Sequence, residues 1–146
     1  MDNQKAPSLI TIIRTDYYAF LTFLFLVIIW GFFIMFQIFN FGYPDSALVV
    51  LLGVSALAIA IGIWRIQTIL ALFSVGIKLS ATVTEIWFFR GRGRIDYAFT
   101  YRSHDFLAGN DVVPTQSAKN LRVGDRLTVI VDPDNPTRSI VMDIFS

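Results

Sequence analysis

Residues 17–39 read YYAFLTFLFLVIIWGFFIMFQIF, a run of 23 residues without a charged side chain. A helix rises about 1.5 Å per residue, so this run would extend about 34 Å, slightly more than the hydrocarbon core of a bilayer at about 30 Å. A second apolar run begins at Ala47. Because a backbone in lipid has to close its hydrogen bonds internally, both runs are predicted to be helices that cross a membrane.

The composition divides the chain into a membrane part and a soluble part. Hydrophobic residues make up 55% of the chain and charged residues 16%. Residues 17–76 contain two charges, Asp45 and Arg65, whereas residues 77–146 contain nine of the twelve Lys and Arg. Zero cysteines exclude disulfides and thiolate metal sites. We predict a membrane α+β protein in four segments: a polar or interfacial segment at 1–16, spans at 17–39 and 47–75, and a soluble β domain at 77–146.

The order of the spans and the positions of the cations predict the topology. The linker at 40–46 reads NFGYPDS, which is a turn composition, and so short a linker joins antiparallel neighbours in a two-helix hairpin. Lys5 and Arg14 precede the first span, Arg65 and Lys78 follow the second, and the turn has no Lys or Arg. The positive-inside bias then predicts that both termini lie on the cytoplasmic side of a bacterial inner membrane.

The second span is rich in small residues, which let helix backbones approach closely in lipid. They form two adjacent stripes at helical spacing, one of Gly53, Ala56 and Ala60 and one of Ser55, Ala58 and Gly62. One interpretation is that these stripes receive the first span, and the alternative is that they dock another subunit. Trp64 and Arg65 are predicted to anchor the helix at the membrane interface, with residues 66–75 tilting or protruding as a stalk.

The tail predicts about six short antiparallel strands in a small barrel or sandwich. Residues 90–94 read RGRGR and predict a hairpin connection, while 103–105 and 109–111 are predicted turns. The clearest strand follows this hairpin, with one face made of Ile95, Tyr97, Phe99 and Tyr101. We expect the aromatic side chains of that face in the core, and the alternative is a ligand-binding surface.

Three motifs of the tail point to a family. They are Tyr97-x-Phe99-x-Tyr101, a Val123-Gly124-Asp125 turn, and Asp132-Pro133-Asp134-Asn135-Pro136 after an apolar strand. Over residues 47–146 the chain resembles the bacterial membrane proteins grouped as domain of unknown function 3592. Members pair two or three membrane spans with such a β segment, so the resemblance implies the same architecture. The family supplies no reaction, substrate or catalytic residue that this chain would inherit.

The arginine triad of Arg90, Arg92 and Arg94 is the sharpest candidate site. Guanidiniums separated by glycines suit phosphate, from a lipid headgroup or a nucleic acid, or an acidic patch on a protein partner. The structural alternative is a solvated hairpin tip that discourages edge pairing. A strand that leaves the membrane near Ser80 would carry the tip about 30 Å away, which argues against lipid. The nearly neutral tail argues against specific nucleic-acid binding.

The remaining polar residues predict no catalytic, cofactor or metal site. His104, the one histidine, lies beside Asp105 in a polar turn, without the ordered set of groups that a nucleophile or a metal needs. Asp132, Asp134 and Asp143 lack the spacing of a calcium-binding EF-hand loop, and the prolines favour a structural turn.

Two classes of function stay open. The first is a non-catalytic accessory or scaffold subunit, whose hairpin docks in a membrane complex and whose β domain contacts a cytoplasmic partner. The second is a stand-alone membrane-anchored sensor or ligand-binding module. A membrane enzyme comes third, because no catalytic constellation is visible in the sequence. The expected partners are the lipid bilayer and either other subunits or a second copy of the chain.

Overall fold

The computed structural model describes residues 6–39 and 46–145. The described chain begins with three helices, which are α1 at Leu9–Thr15, α2 at Tyr17–Ile38 and α3 at Ser46–Val75. Ser8 caps α1 by accepting the Thr11 N–H at 3.1 Å. Residues 40–45 of the predicted turn lie outside the described residues, and α3 begins at the last residue of that turn.

Helices α2 and α3 are both long and apolar enough to cross a membrane. In their most apolar stretches, 6% of α2 and 11% of α3 is buried. They pack against each other along one side. The Trp30 indole N–H donates to Ser55 Oγ at 3.1 Å, and the Thr22 side chain lies against Gly62.

The β domain is one antiparallel sheet with the strand order β3-β2-β1-β4-β5. The strands are β1 Ile77–Phe89, β2 Arg92–Tyr101, β3 His104–Val112, β4 Arg126–Val131 and β5 Ser139–Val141. Helix α4 at Gln116–Asn120 connects β3 to β4, and a 3₁₀ turn at Asp143–Phe145 follows β5. The sheet curls into a half-barrel, so the described fold has one curved layer of strands instead of the two of a sandwich.

The sheet has five strands where about six were predicted. One strand, β3, takes the place of the two strands predicted on either side of residues 109–111. β3 is continuous across residues 109–111, where Gly109 pairs with Asp96 and Asn110 with Ile95 of β2. The predicted turn at this position was wrong. Its polar side chains serve other elements of the fold: Asn110 bonds to β5, and Asp111 bonds to α2.

The last turns of α3 fill the concave side of the half-barrel. Ile69, Leu72 and Phe73 are buried in one core with the inward residues of the sheet, as the i, i+3, i+4 spacing of an amphipathic helix allows. The Phe73 ring meets the Phe145 ring edge-on, with centroids 5.8 Å apart. The segment predicted as a stalk does extend beyond Arg65, and it is the core helix of the β domain.

Helix α1 packs against the same core. Ile12 is fully buried in it, and the helix contacts α3 and the 3₁₀ turn after β5. Leu9 and Ile10, on the other side of α1, are 57% and 68% exposed. The interfacial position of this segment stays a prediction.

Candidate functional site at the junction of the helices and the sheet

The carboxylate of Asp16 joins three elements of the fold. Its Oδ1 accepts the Ala19 N–H at 2.9 Å and so caps α2. Arg65 of α3 donates from Nε to both carboxylate oxygens at 3.2 Å, and its Nη2 donates to Oδ2. The backbone of Asp16 forms a bridge with Val112, the last residue of β3. Asp16 is 3% exposed and Arg65 is 27% exposed, so the carboxylate of this ion pair is withdrawn from solvent and the guanidinium only partly.

A second carboxylate, Asp111, joins α2 to the sheet. The Tyr18 hydroxyl donates to Asp111 Oδ2 at 2.9 Å. Arg92 of β2 donates to Oδ1 from Nη2 at 2.9 Å and from Nε at 3.3 Å. The hydrogen bond to Asp111 raises the pKa of the Arg92 guanidinium.

Aromatic rings surround the two cations of the junction. The Arg92 guanidinium lies 5.2 Å from the Tyr17 ring centroid and 5.7 Å from that of Trp87. The Arg65 guanidinium lies 5.6 Å from the Tyr18 ring centroid. These distances are within the range of cation–π attraction. The junction therefore holds the helices and the sheet in one orientation through buried carboxylates and stacked arginines.

The structure separates the three arginines of the triad. Arg94 donates to Asp96 at 2.9 Å, and Arg92 is held by Asp111. Arg90 stands apart at the turn, with its guanidinium 5.1 Å from the Phe89 ring centroid. Within residues 6–39 and 46–145, Arg90 forms no ion pair. The triad is thus two structural arginines and one exposed cation.

The tip of the β1–β2 hairpin lies beside α2. An open cleft of about 500 Å³ separates the tip residues 88–91 from Phe20 and from the segment after β3, including Pro114 and Lys119. The tip was expected about 30 Å from the membrane, and in the structure it lies beside Phe20, near the start of α2. β1 begins at the far end of α3 and runs back, so that its last residues reach the start of α2.

The two small-residue stripes of α3 have different environments. Ser55 and Ala58 are buried, and Gly62 lies against Thr22 of α2, so this stripe receives the first long helix. Gly53, Ala56 and Ala60 are exposed, and a Cβ added at Gly53 would meet nothing within 4 Å among the residues that the structure describes. Trp64 is 67% exposed on the same helix. An anchoring role for Trp64 and Arg65 stays a prediction, although Arg65 now has a carboxylate partner.

The predicted aromatic face of β2 is in the core. Tyr97 is fully buried and Phe99 is 4% exposed, while Tyr101 is half-buried and its hydroxyl donates to the Pro133 carbonyl. Burial raises the pKa of the Tyr97 phenol to about 12, although its hydrogen bond with Ser139 acts in the opposite direction. Tyr97 and Phe99 are therefore core residues, and Tyr101 is the one aromatic residue of this face that is partly exposed.

Asn110 holds the two edges of the half-barrel together, a role that the sequence did not reveal. Its Oδ1 accepts the Tyr97 hydroxyl at 3.0 Å and the Val141 N–H at 2.9 Å, and its Nδ2 donates to the Ser139 carbonyl at 3.1 Å. The edges of β3 and β5 are thus joined through a side chain at this point. An isolated asparagine in a Gly-Asn-Asp sequence gives no signal of that role.

The polar residues outside the junction have local structural partners. His104 Nδ1 lies 2.9 Å from the Arg102 carbonyl, and the Asp105 carboxylate accepts the Thr100 hydroxyl at 2.6 Å. Asp132 accepts the Asp134 N–H at 3.0 Å within the proline turn. Among the described residues, no group of three His, Asp or Glu is placed to hold a metal ion.

Comparisons with protein families, with curated proteins and with solved structures found no match for this chain. The resemblance to domain of unknown function 3592 therefore stays a prediction.

Proposed function

We propose that this chain is a non-catalytic integral membrane protein that acts as an accessory or scaffold subunit. α2 and α3 cross a bacterial inner membrane as a hairpin, with both termini in the cytoplasm. The β domain is held against the cytoplasmic surface and contacts a partner there. The observation that supports this function best is the junction, where Asp16 and Asp111 connect both long helices to the sheet.

A fixed orientation is the property that a scaffold needs. The hairpin and the β domain share α3, whose last turns are part of the core of the half-barrel. A flexible linker would allow the domain to swing, whereas a continuous helix and two buried carboxylates restrict that motion. Because Asp16 pairs with Arg65, the N-terminal segment and the β domain lie at the same end of the helical hairpin. This agrees with the proposed topology, in which both face the cytoplasm.

The surface that docks in the membrane is proposed to be the uncovered stripe of Gly53, Ala56 and Ala60. α2 covers the neighbouring stripe, so the two stripes allow a matched test. Ala56→Leu with Ala60→Leu adds bulk on the uncovered side, while Ala58→Leu adds bulk against α2. Overpacking a helix contact costs about 1–3 kcal/mol for each site.

The test is the size of the complex in a mild detergent. We expect the double variant to keep the unfolding midpoint of the wild type and to migrate as a smaller species on a native gel. Ala58→Leu should instead lower the unfolding midpoint. The purified chain, reconstituted alone, identifies the partner. If it still forms the larger species, the partner is a second copy of the chain, and if it does not, the partner is another subunit. An unchanged complex size for the double variant would refute docking through this stripe.

Membrane insertion and topology need their own measurements. The protein should stay in the membrane fraction after carbonate extraction, since about 30 Å of apolar helix holds it there. A reporter fused after Ser146 should be cytoplasmic, and one inserted at 40–46 should be external. Recovery in the soluble fraction would refute the proposed function, and a reversed reporter pattern would refute the orientation.

A further inference from the structure

The tip of the β1–β2 hairpin lies at the depth where α2 begins. Asp16 bridges Val112, Val112 pairs with Gly93, and Gly93 pairs with Phe88, so these residues stand in one row across the sheet. The turn lies two residues beyond Phe88, which is about 7 Å along a strand. Phe20 lies four residues beyond Asp16, which is about 6 Å along a helix. Because the two lengths are similar, the tip lies at about the level of Phe20. Phe20 and the tip residues line the same cleft.

The tip exposes large aromatic side chains. Trp87, Phe88 and Phe89 are 37%, 39% and 62% exposed. Phe88 has a structural role, since its ring covers Gly93, where a Cβ would lie 2.5 Å from the ring. Trp87 stacks on Arg92. Phe89 is the most exposed of the three, and its one aromatic contact among the described residues is with the Arg90 guanidinium, 5.1 Å from the ring centroid.

Two cations without a carboxylate partner flank the cleft. Arg90 at the tip and Lys119 of α4 are both exposed, and neither forms an ion pair within residues 6–39 and 46–145. The nearest carboxylate of the junction, Asp111, is buried and already bonded to Arg92 and Tyr18. Within residues 6–39 and 46–145, the cleft therefore carries a positive charge that no carboxylate compensates.

The backbone at Arg90 is also unusual. Arg90 and Gly91 have φ angles of 45° and 82°, as the two central residues of a type I′ turn require. Asn-Gly is strongly preferred in such turns, because a side chain with a Cβ is strained at positive φ. An arginine at this position is therefore disfavoured by the turn, as it also is at Arg102 in the β2–β3 turn, where φ is 50°.

We propose that the hairpin tip and its cleft form a site for an anionic phospholipid at the membrane surface, with Arg90 and Lys119 binding the phosphate and Phe89 entering the acyl boundary. This inference rests on the proposed membrane insertion of α2 and α3. A headgroup layer is about 5–7 Å thick on each side of the hydrocarbon core, so a tip at the level of Phe20 reaches its inner edge. Aromatic and basic residues are the ones enriched at that depth.

The depth of the tip can be measured with single-cysteine spin labels, because the chain has no cysteine of its own. Three labels in nanodiscs suffice: Phe89→Cys at the tip, Leu107→Cys as an exposed site of β3 far from the tip, and Ile28→Cys on α2. The quantity measured is the accessibility of each label to oxygen and to a water-soluble nickel complex. We expect the Ile28 label to be more accessible to oxygen and the Leu107 label to be more accessible to nickel. The Phe89 label should have an intermediate ratio of the two accessibilities.

Each pattern of labels decides one question. If the Phe89 label is as accessible to nickel as the Leu107 label while Ile28 is in hydrocarbon, the tip is in water. This result overturns the lipid site and leaves the spans intact, with the tip free for an acidic protein surface. If the Ile28 label is also in water, the membrane assignment itself fails, and the lipid site fails with it.

The phosphate contact is tested by native mass spectrometry of the full chain in detergent. The probes are dihexanoyl phosphatidylglycerol, dihexanoyl phosphatidylcholine and inorganic phosphate. Arg90→Asn and Lys119→Gln should each weaken binding of the phosphatidylglycerol about fivefold. Arg126→Gln, a distal exposed site on β4, should leave it unchanged. Inorganic phosphate that binds as well as the lipid would overturn the lipid assignment.

Arg90→Asn also separates a binding role from a structural one. Asparagine suits the type I′ turn better than arginine, so this variant should unfold at the same temperature as the wild type or a higher one. A variant that is at least as stable and binds less phosphatidylglycerol supports the site. A variant that loses stability and keeps the lipid would overturn it.

Discussion

Removing Arg65 should destabilise the junction more than removing the charge of Asp16. In Arg65→Met the Asp16 carboxylate keeps the Ala19 N–H and loses its cation, while only 3% of the side chain is exposed. A buried charge that loses its partner costs about 3–5 kcal/mol. We therefore expect the free energy of unfolding to fall by about that amount.

Asp16→Asn should cost less. The amide oxygen still accepts the Ala19 N–H, and asparagine is as good a cap as aspartate. The Arg65 side chain is 27% exposed and lies over the Tyr18 ring, so its charge is only partly withdrawn from solvent. The loss is then close to that of one hydrogen bond to a charged group, about 1.5–3 kcal/mol.

A double-mutant cycle tests this reasoning. Reversible unfolding in mixed micelles, followed by circular dichroism, gives the free energies. Combining the two substitutions should cost less than their sum by at least about 1 kcal/mol, because the buried unpaired charge is then absent. Arg94→Gln is the control, since Arg94 and Asp96 are 40% and 26% exposed and such pairs contribute about 1 kcal/mol or less. Equal and additive costs for the two junction variants would refute the argument.

Three further predictions concern the β domain. The pKa of Tyr97 is raised to about 12, so the stability that its neutral form contributes is full below pH 10 and is lost as the pH rises to 12. The free energy of unfolding should therefore fall by at most about 3 kcal/mol between pH 10 and pH 12. In Tyr97→Phe, which has no phenol to ionise, this part of the pH dependence should be absent. Ile69→Ala, at a site 1% exposed, should cost about 2–5 kcal/mol, whereas Gln67→Ala on the exposed side should cost about 0.5 kcal/mol or less by chemical unfolding. Asn110→Ala should accelerate amide hydrogen exchange in β5, and unchanged protection of the Val141 amide would contradict its role at the edges.

The elements of this fold were predictable where the pattern is local. The uncharged run at 17–39 corresponds to α2 at Tyr17–Ile38, and the second run to α3 at Ser46–Val75. The alternation in β2 also placed Tyr97 and Phe99 on the buried face. Each of these signals depends on residues within one element, so burial and hydrogen bonding follow from the side-chain period.

The candidate site was not predictable, because its contacts join distant parts of the chain. Arg65 and Asp16 are 49 residues apart, and Tyr18 and Asp111 are 93 apart. The glycines and arginines at 90–94 correctly indicated a hairpin, but the position of its tip depends on the return of β1 along α3. No local pattern encodes a return of that kind. The fold also uses Arg92 and Arg94 internally, which leaves Arg90 as the exposed member of the triad.

The double use of α3 sets an order for the assembly of the molecule. α1 and α3 are synthesised before any strand, so the helix that carries Ile69 and Phe73 is in place when β1 emerges. The strands then close around this helix as a template, and β5, the last of the five along the chain, completes the curve through Asn110. Residues 77–146 expressed alone would lack that template. The β domain is therefore built around a helix that it shares with the apolar hairpin, and not from its strands alone.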